Sequence, residues 1–291
     1  MKRILIPACL AATGMVAAIV YAAADPVIVS PIGAGTGTSS FIQMNDAFTG
    51  EWQQYGQTFT NLQAGLFDQL FLVILTLIPA VFLLHYILIG AKHFDHNGPD
   101  ILFFSSTTRL IHWVAAVSFS LLVVTGLMII FGKLLGGGSL VMGGRIVHIA
   151  SALVFAVAAV LMFLIWLKDM LPMPYDLAWL FIMGGYLSKK KKPIPAGKFN
   201  AGQKMWFWLA TVGGLVMAYT GWYLYTFQVT TDQLRVIAMI HNFLGAALVA
   251  MFLVHLYMSM FAVKGSIRSM ITGYKPREEV EILHSRYKIT K

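Results

Sequence analysis

The sequence predicts an all-α membrane protein built from several transmembrane helices, and three observations point there. Of its 291 residues, 58% are hydrophobic and only 11% charged, with a mean hydropathy of +0.74, whereas a soluble domain is about a quarter charged. The apolar residues fall in unbroken runs of helix-spanning length, not in the short alternating segments of a barrel. The net charge is +9, and the basic residues are bunched in a few loops. In a soluble protein this excess would suggest nucleic acid; here membrane topology accounts for it, and no nucleic-acid partner is expected.

Residues 1–24, MKRILIPACLAATGMVAAIVYAAA, read as a signal peptide: Lys2 and Arg3 form the basic end, and Ala22, Ala23 and Ala24 offer a small-residue cleavage site. An uncleaved signal anchor fits the same residues. Residues 25–68 contain PIGAGTGTSS and a polar, aromatic stretch, which predicts an exported loop or partner-binding segment with no core of its own. A first span, FLVILTLIPAVFLLHYILIG, lies within residues 69–92. Four more are predicted at roughly 111–132, 147–167, 205–227 and 236–263, inside a domain of 105–275. The run PYDLAWLFIMGGYL at 174–187 is too short to cross and predicts a helix along the cytoplasmic membrane surface. Residues 276–291 form a charged cytoplasmic tail.

The loops give an orientation. Lys189, Lys190, Lys191, Lys192, Lys198 and Lys204 lie between the third and fourth of the five spans, and the tail adds Arg277, Arg286, Lys288 and Lys291. Loops 133–146 and 228–235 carry only Lys133, Arg145 and Arg235. The Lys-rich loop and the C-terminus are therefore expected in the cytoplasm. The first span then runs inward, in agreement with an exported N-terminal segment.

One cysteine, Cys9, excludes an internal disulfide, a cysteine-ligated iron–sulfur cluster and a Cys-rich zinc site. The histidines are more informative. His112, His148, His241 and His255 lie in or at the ends of the last four spans. Taken singly, each fits a neutral ring hydrogen-bonded to a neighbouring helix. Together they sort by depth into two pairs, His148 with His241 on the outer side and His112 with His255 on the inner side. The interval from His241 to His255 is about 1400° of helix, roughly 40° short of four turns, and about 21 Å of rise. One helix face thus offers one ligand to each of two stacked sites.

Glycines and arginines fit around these pairs. Gly126 lies on the face of His112 at the outer depth, and Gly245 follows His241 by one turn. Missing side chains there would admit a flat macrocycle, and close helix packing is an equally good account. Arg109 precedes His112 by one helical turn and Arg145 precedes His148 likewise. They suit haem propionates or simple snorkelling at the interface. Two imidazoles per iron leave no open coordination position, so such a haem carries electrons. Zinc is disfavoured because no Cys, Asp or Glu joins either pair; a proton relay stays open but has no need of partners at equal depth.

These motifs (RLIHWV, GRIVH, KFNAGQKMWFW and LVHLYMSMFAVKGSIRSMITG) resemble the gamma, or cytochrome b, subunit of membrane-bound formate dehydrogenases, over about 105–275. The wider group includes cytochrome b subunits of nickel–iron hydrogenases. The resemblance implies a four-helix transmembrane dihaem cytochrome b bundle, here with one additional N-terminal helix. It implies two haem b groups held by His112, His148, His241 and His255 in the pairing above. It also implies an iron–sulfur beta subunit and a molybdenum or tungsten pterin alpha subunit as partners. Electrons would pass to a quinone, menaquinone or ubiquinone, beside the inner haem, with Asn200 and Gly202 at quinone-contacting positions and Gln203 adjacent. Read without the resemblance, the residues of KFNAGQKM favour a helix start capped by Asn200. The expected location is the bacterial inner membrane, in contact with lipid, with the C-terminus cytoplasmic and the N-terminal segment periplasmic. A hydrogenase or other reductase cytochrome b, and a haem-free anchor or transporter, are the alternative readings. His85, His93, His96 and His284 receive no assigned role.

Overall fold

The computed structural model describes residues 50–95 and 98–289. The signal reading of 1–24, the segment 25–49 and His96 lie outside them. Two compact units are present, one comprising residues up to Leu70 with Tyr223–Asn242, the other Phe71–Trp222 with Phe243–Lys291.

In the first unit, residues 52–66, the described part of the segment expected as an exported loop, are helical. A π-helical turn Trp52–Gly56, helix α1 (Gln57–Asn61) and a second π turn Leu62–Leu66 lead without a break into α2 (Phe67–Leu88). Gln, Leu and Asn are tolerated in helices, and the two glycines of the run, Gly56 and Gly65, fall in its two π turns. This run meets the start of a long helix, Thr231–Tyr257. The Glu51 N–H donates to Asp232 Oδ2 at 2.9 Å, and Arg235 pairs with Asp232 Oδ1 at 3.0 Å while its guanidinium sits 5.6 Å from the Trp52 ring centre. Asn242 Nδ2 donates to Gln63 Oε1 at 3.3 Å.

The second unit holds α3 (Ser106–Ile130), α4 (Gly138–Trp166), α5 (Pro174–Phe181), α6 (Ala201–Trp208) and α7 (Gly214–Thr226), followed by most of α8 (Thr231–Tyr257). Ser105 starts α3: its backbone is extended (ψ 160°), and its hydroxyl accepts the Thr108 N–H at 3.2 Å. Inside α3 the hydroxyls of Ser118, Ser120 and Thr125 donate back to carbonyls one turn earlier, at 2.7, 2.7 and 2.6 Å. Polar groups are thereby satisfied without water. Helices α3 and α4 pack side by side through Ala115, Phe119, Phe155, Ala158 and Ala159, joined by Leu248 and Phe252 of α8.

Among the described residues, four helical runs are long and apolar enough to cross a membrane: Trp52–Leu88, Ser106–Ile130, Gly138–Trp166 and Thr231–Ala262. The span expected near 205–227 is helical from Ala201 to Thr226, with a π turn at Leu209–Gly213. It does not join the four, because Trp, Tyr, Thr and Gly replace aliphatic residues along it.

The expected tail is an integral part of the fold. Strand β1 (Asp100–Leu102) pairs antiparallel with β2 (Tyr274–Pro276), Ile101 opposite Lys275. Between them α9 (Arg268–Thr272) ends at Gly273. Its φ of +94° strains any side chain, and a Cβ there would stand 2.6 Å from the Phe104 carbonyl oxygen. Helix α10 (Arg277–Leu283) then buries Val280 and Leu283. Glu279 can be buried with them because Lys275 pairs with it. A charged composition hid an apolar i, i+3 stripe.

A bis-histidine site and its surroundings

The two histidines expected on the inner side come together. His112 on α3 and His255 on α8 have ring centres 6.4 Å apart, with planes tilted by 56°. Two imidazole nitrogens bound to one metal at about 2.0–2.1 Å, each with its ring centre roughly 1.1 Å further out, would place the centres roughly 6.3 Å apart. Among the described residues no group of three or more His, Cys, Asp and Glu could hold a metal ion. The pair therefore lacks a tetrahedral donor set and fits an ion whose remaining positions are filled by a macrocycle. His112 Nδ1 is buried without a hydrogen-bond partner. Trp206 of α6 stacks on His255 at 5.3 Å and 19°, an aromatic contact that the sequence, which showed only an aromatic run in KMWFW, did not place.

His148, on α4, faces α3. Its Nδ1 lies 2.9 Å from Thr125 Oγ1, and a Cβ on Gly126 would meet its Cε1 at 3.4 Å. The glycine expected at this depth thus faces one of the expected ligands. His241 shares α8 with His255. Gly245 faces Met217 and Phe71, at 3.5 and 3.9 Å from a Cβ built on it.

The two arginines have contrasting surroundings. Arg109 donates from Nη1 to the Ile271 carbonyl and from Nη2 to Ser106 Oγ at 3.0 Å, and its Nε is buried without a partner. Much of its donor capacity joins α3 to α9. Arg145 is exposed and makes no ion pair among the described residues.

The loop before α6 adopts the cap that its sequence also allowed. Asn200 Oδ1 accepts the Gln203 N–H and Gln203 Oε1 accepts the Asn200 N–H, both at 2.9 Å, a reciprocal capping box. Gly202 packs against Trp179, 2.9 Å from a Cβ built there. Next to the cap, Lys204 pairs with Asp176 of α5 at 2.8 Å, both nearly buried. Only the contact between α5 and α6 shows that pair, since the two residues are far apart in sequence.

Two of the other histidines, His85 and His284, make hydrogen bonds within the fold. His85 lies between Tyr257 Oη (2.5 Å from Nδ1) and the Tyr186 carbonyl (3.0 Å from Nε2). A carbonyl only accepts, so Nε2 donates and the tyrosine hydroxyl donates to Nδ1. His284, buried against Phe103, donates from Nδ1 to the Gly197 carbonyl at 2.9 Å. Burial, then the nearby Lys275 cation, push its pKa down to about 3. A cavity of about 460 Å³ lined by Tyr86, Lys92, His93, Ser188, Lys189 and Lys191, among others, includes none of the expected site residues.

Comparison with known proteins gives the family. The chain is 33% identical over 187 residues to the cytochrome b556(Fdn) subunit of the nitrate-inducible formate dehydrogenase of Escherichia coli, covering 62% of this chain and 86% of that one. It is 26% identical over 195 residues to the E. coli formate dehydrogenase cytochrome b556(fdo) subunit, covering 64% and 91%. It is 26% identical over 186 residues to the formate dehydrogenase cytochrome b556 subunit of Haemophilus influenzae, covering 61% and 78%. The family model for prokaryotic cytochrome b561 matches residues 104–273, from just before α3 to Gly273. The chain belongs to the prokaryotic cytochrome b561 family, and as a cytochrome b of the membrane it is a haem b protein of electron transport.

Proposed function

We propose that the chain is the membrane-anchoring, electron-transferring cytochrome b subunit of a formate dehydrogenase. The observation that carries this reading is the 6.4 Å between the ring centres of His112 and His255, in a chain whose relatives are named as such subunits. Two haem b groups are held within residues 105–275: the inner by His112 and His255, the outer by His148 and His241. For the outer pair the support is helix depth in the sequence. When bound between two imidazoles, haem b supplies one-electron transfer with no open position for a substrate.

The residues then divide the work. The four histidines bind, and Trp206 holds the plane of His255. Gly126 leaves room at the outer side. Arg109, through its remaining Nε, and Arg145 are the cations for propionates. At the Lys-rich end, Asn200 Nδ2 and Gln203 Nε2 are amide donors that the capping box leaves free. They hydrogen-bond a quinone carbonyl, menaquinone or ubiquinone, with Gly202 between them. An iron–sulfur subunit and a molybdenum or tungsten pterin subunit dock on the opposite, exported side. The membrane is the bacterial inner membrane, with the C-terminus cytoplasmic, as the distribution of lysines supports.

The decisive experiment removes one ligand at a time from the complex purified in detergent. His112→Ala and His148→Ala should each lose one of two haems, read as haem per polypeptide. Formate should reduce the haem of the intact complex. Retention of both haems in both variants refutes the ligand assignment; reduction by hydrogen but not by formate moves the chain to the hydrogenase reading.

A further inference from the structure

A histidine is a ligand through one ring nitrogen, and what its other nitrogen does sets how well it serves. Thr125 decides this for His148. Its Oγ1 lies 2.6 Å from the Leu121 carbonyl oxygen and 2.9 Å from His148 Nδ1. A hydroxyl has one proton and two acceptor lone pairs. Two oxygens that close together need a proton between them, and the carbonyl has none to offer, so the Thr125 proton points at Leu121. A lone pair of Thr125 therefore faces His148. Nδ1 must be the N–H, donating to Thr125, and a neutral ring with Nδ1–H has a bare Nε2.

Three further facts make this a built seat. Thr125 is 4% exposed, so water does not compete for its lone pair. Gly126 leaves His148 only van der Waals room, 3.4 Å at Cε1 and 3.9 Å at Nδ1 from where a Cβ would stand. The two seat residues adjoin on α3 and the ring comes from α4, so packing of the two helices aims the ring. His112 offers the contrast: its Nδ1 is buried with no partner.

We propose that Thr125 is the positioning residue of His148. It holds the Nδ1–H tautomer, presents Nε2 as the ligand, and by accepting the N–H makes the ring a stronger donor that favours ferric over ferrous iron. This rests on the reading of His148 as a haem ligand.

The test uses the full chain purified with its haem, and a redox titration followed by absorbance. Thr125→Val keeps the branched shape and removes the hydroxyl; Thr125→Ser keeps the hydroxyl. In Thr125→Val the potential of one haem should rise by about a tenfold change in the ferric–ferrous preference, about 60 mV for one electron. The other potential should hold, and Thr125→Ser should restore the wild-type value. Haem loss in Thr125→Val with recovery in Thr125→Ser also supports the proposal. Potentials that stay or fall in Thr125→Val, or equal haem loss in both variants, overturn it. His148→Ala separates the two readings: if it keeps every haem, the ligand assignment fails; if it loses one while Thr125→Val is unchanged, only the Thr125 proposal fails.

Discussion

Between α3, α4 and α8 most hidden positions are small or aromatic, Ala115, Ser118, Phe119, Ala158, Ala159 and Phe252 beside Leu248 and Val249, while Ile146, Val157 and Leu164 turn outward with 64, 64 and 67% exposure. At the Lys-rich end of the same unit the pattern reverses. Phe103, Phe104, Phe199, Val280 and Leu283 are hidden, and so are Lys275, Glu279, Lys204 and Asp176. Lipid is as apolar as leucine, so a membrane helix gains little by hiding one and packs through small surfaces instead. Outside the lipid, hiding apolar area is what drives folding, and a charge taken along must bring its counter-charge. Two solvents thus select two kinds of core in one chain.

Each side of this contrast can be attacked. The largest effect belongs to the Lys-rich end: Glu279→Leu leaves Lys275 buried and unpaired and should cost about 3–5 kcal/mol. The double variant Lys275→Met/Glu279→Leu should recover most of that in thermal unfolding in detergent. If single and double variants unfold alike, the pair is not what allows the burial. In the bundle, Ala159→Leu forces a large side chain between α3 and α4 and should cost about 1–3 kcal/mol. A wild-type unfolding temperature would mean that the small residues there are not the contact.

The third prediction concerns pH. His284 in the fold has a pKa of about 3, against about 6.5 unfolded. Between these values the unfolded chain holds the extra proton, so stability is lost as pH falls from about 6.5 towards 3, at up to about 1.4 kcal/mol per pH unit. His284→Gln should flatten the slope measured between pH 6 and 4; an unchanged slope assigns the acid sensitivity elsewhere. The smallest effect is expected at the lipid face, where Leu164→Ala should shift stability by less than about 0.5 kcal/mol. A loss as large as that of a soluble core leucine would contradict the lipid-facing assignment.

The expectations drawn from the sequence succeed where a pattern repeats along one helix. The apolar runs at 111–132, 147–167 and 236–263 are α3, α4 and α8. The interval that sets His241 and His255 on one helix holds because α8 is continuous. The expected pairing of His112 with His255 uses only depth and rise, and their ring centres lie 6.4 Å apart. Residues 52–66 depart from the expected loop because a polar stretch is not thereby irregular, and the tail departs because charges mask Val280 and Leu283. The run 205–227 folds as a helix but has too many aromatic and small residues to rank with the apolar spans.

Helical periodicity and charge are carried by neighbours within a turn or two, so the chain alone dictates its membrane class, its long helices and the recurrence of its histidines. Contacts across helices carry no such local mark. Packing of α3 on α4 chose Thr125 and Gly126 as the seat of His148, and packing of α5 on α6 joined Asp176 to Lys204. The cap at Asn200 and Gln203, by contrast, is local and legible in the sequence; it commits the oxygens and leaves the amide donors. In lipid many helix faces are equally apolar, and hydrophobicity cannot say which of them meet; shape and the few polar groups do.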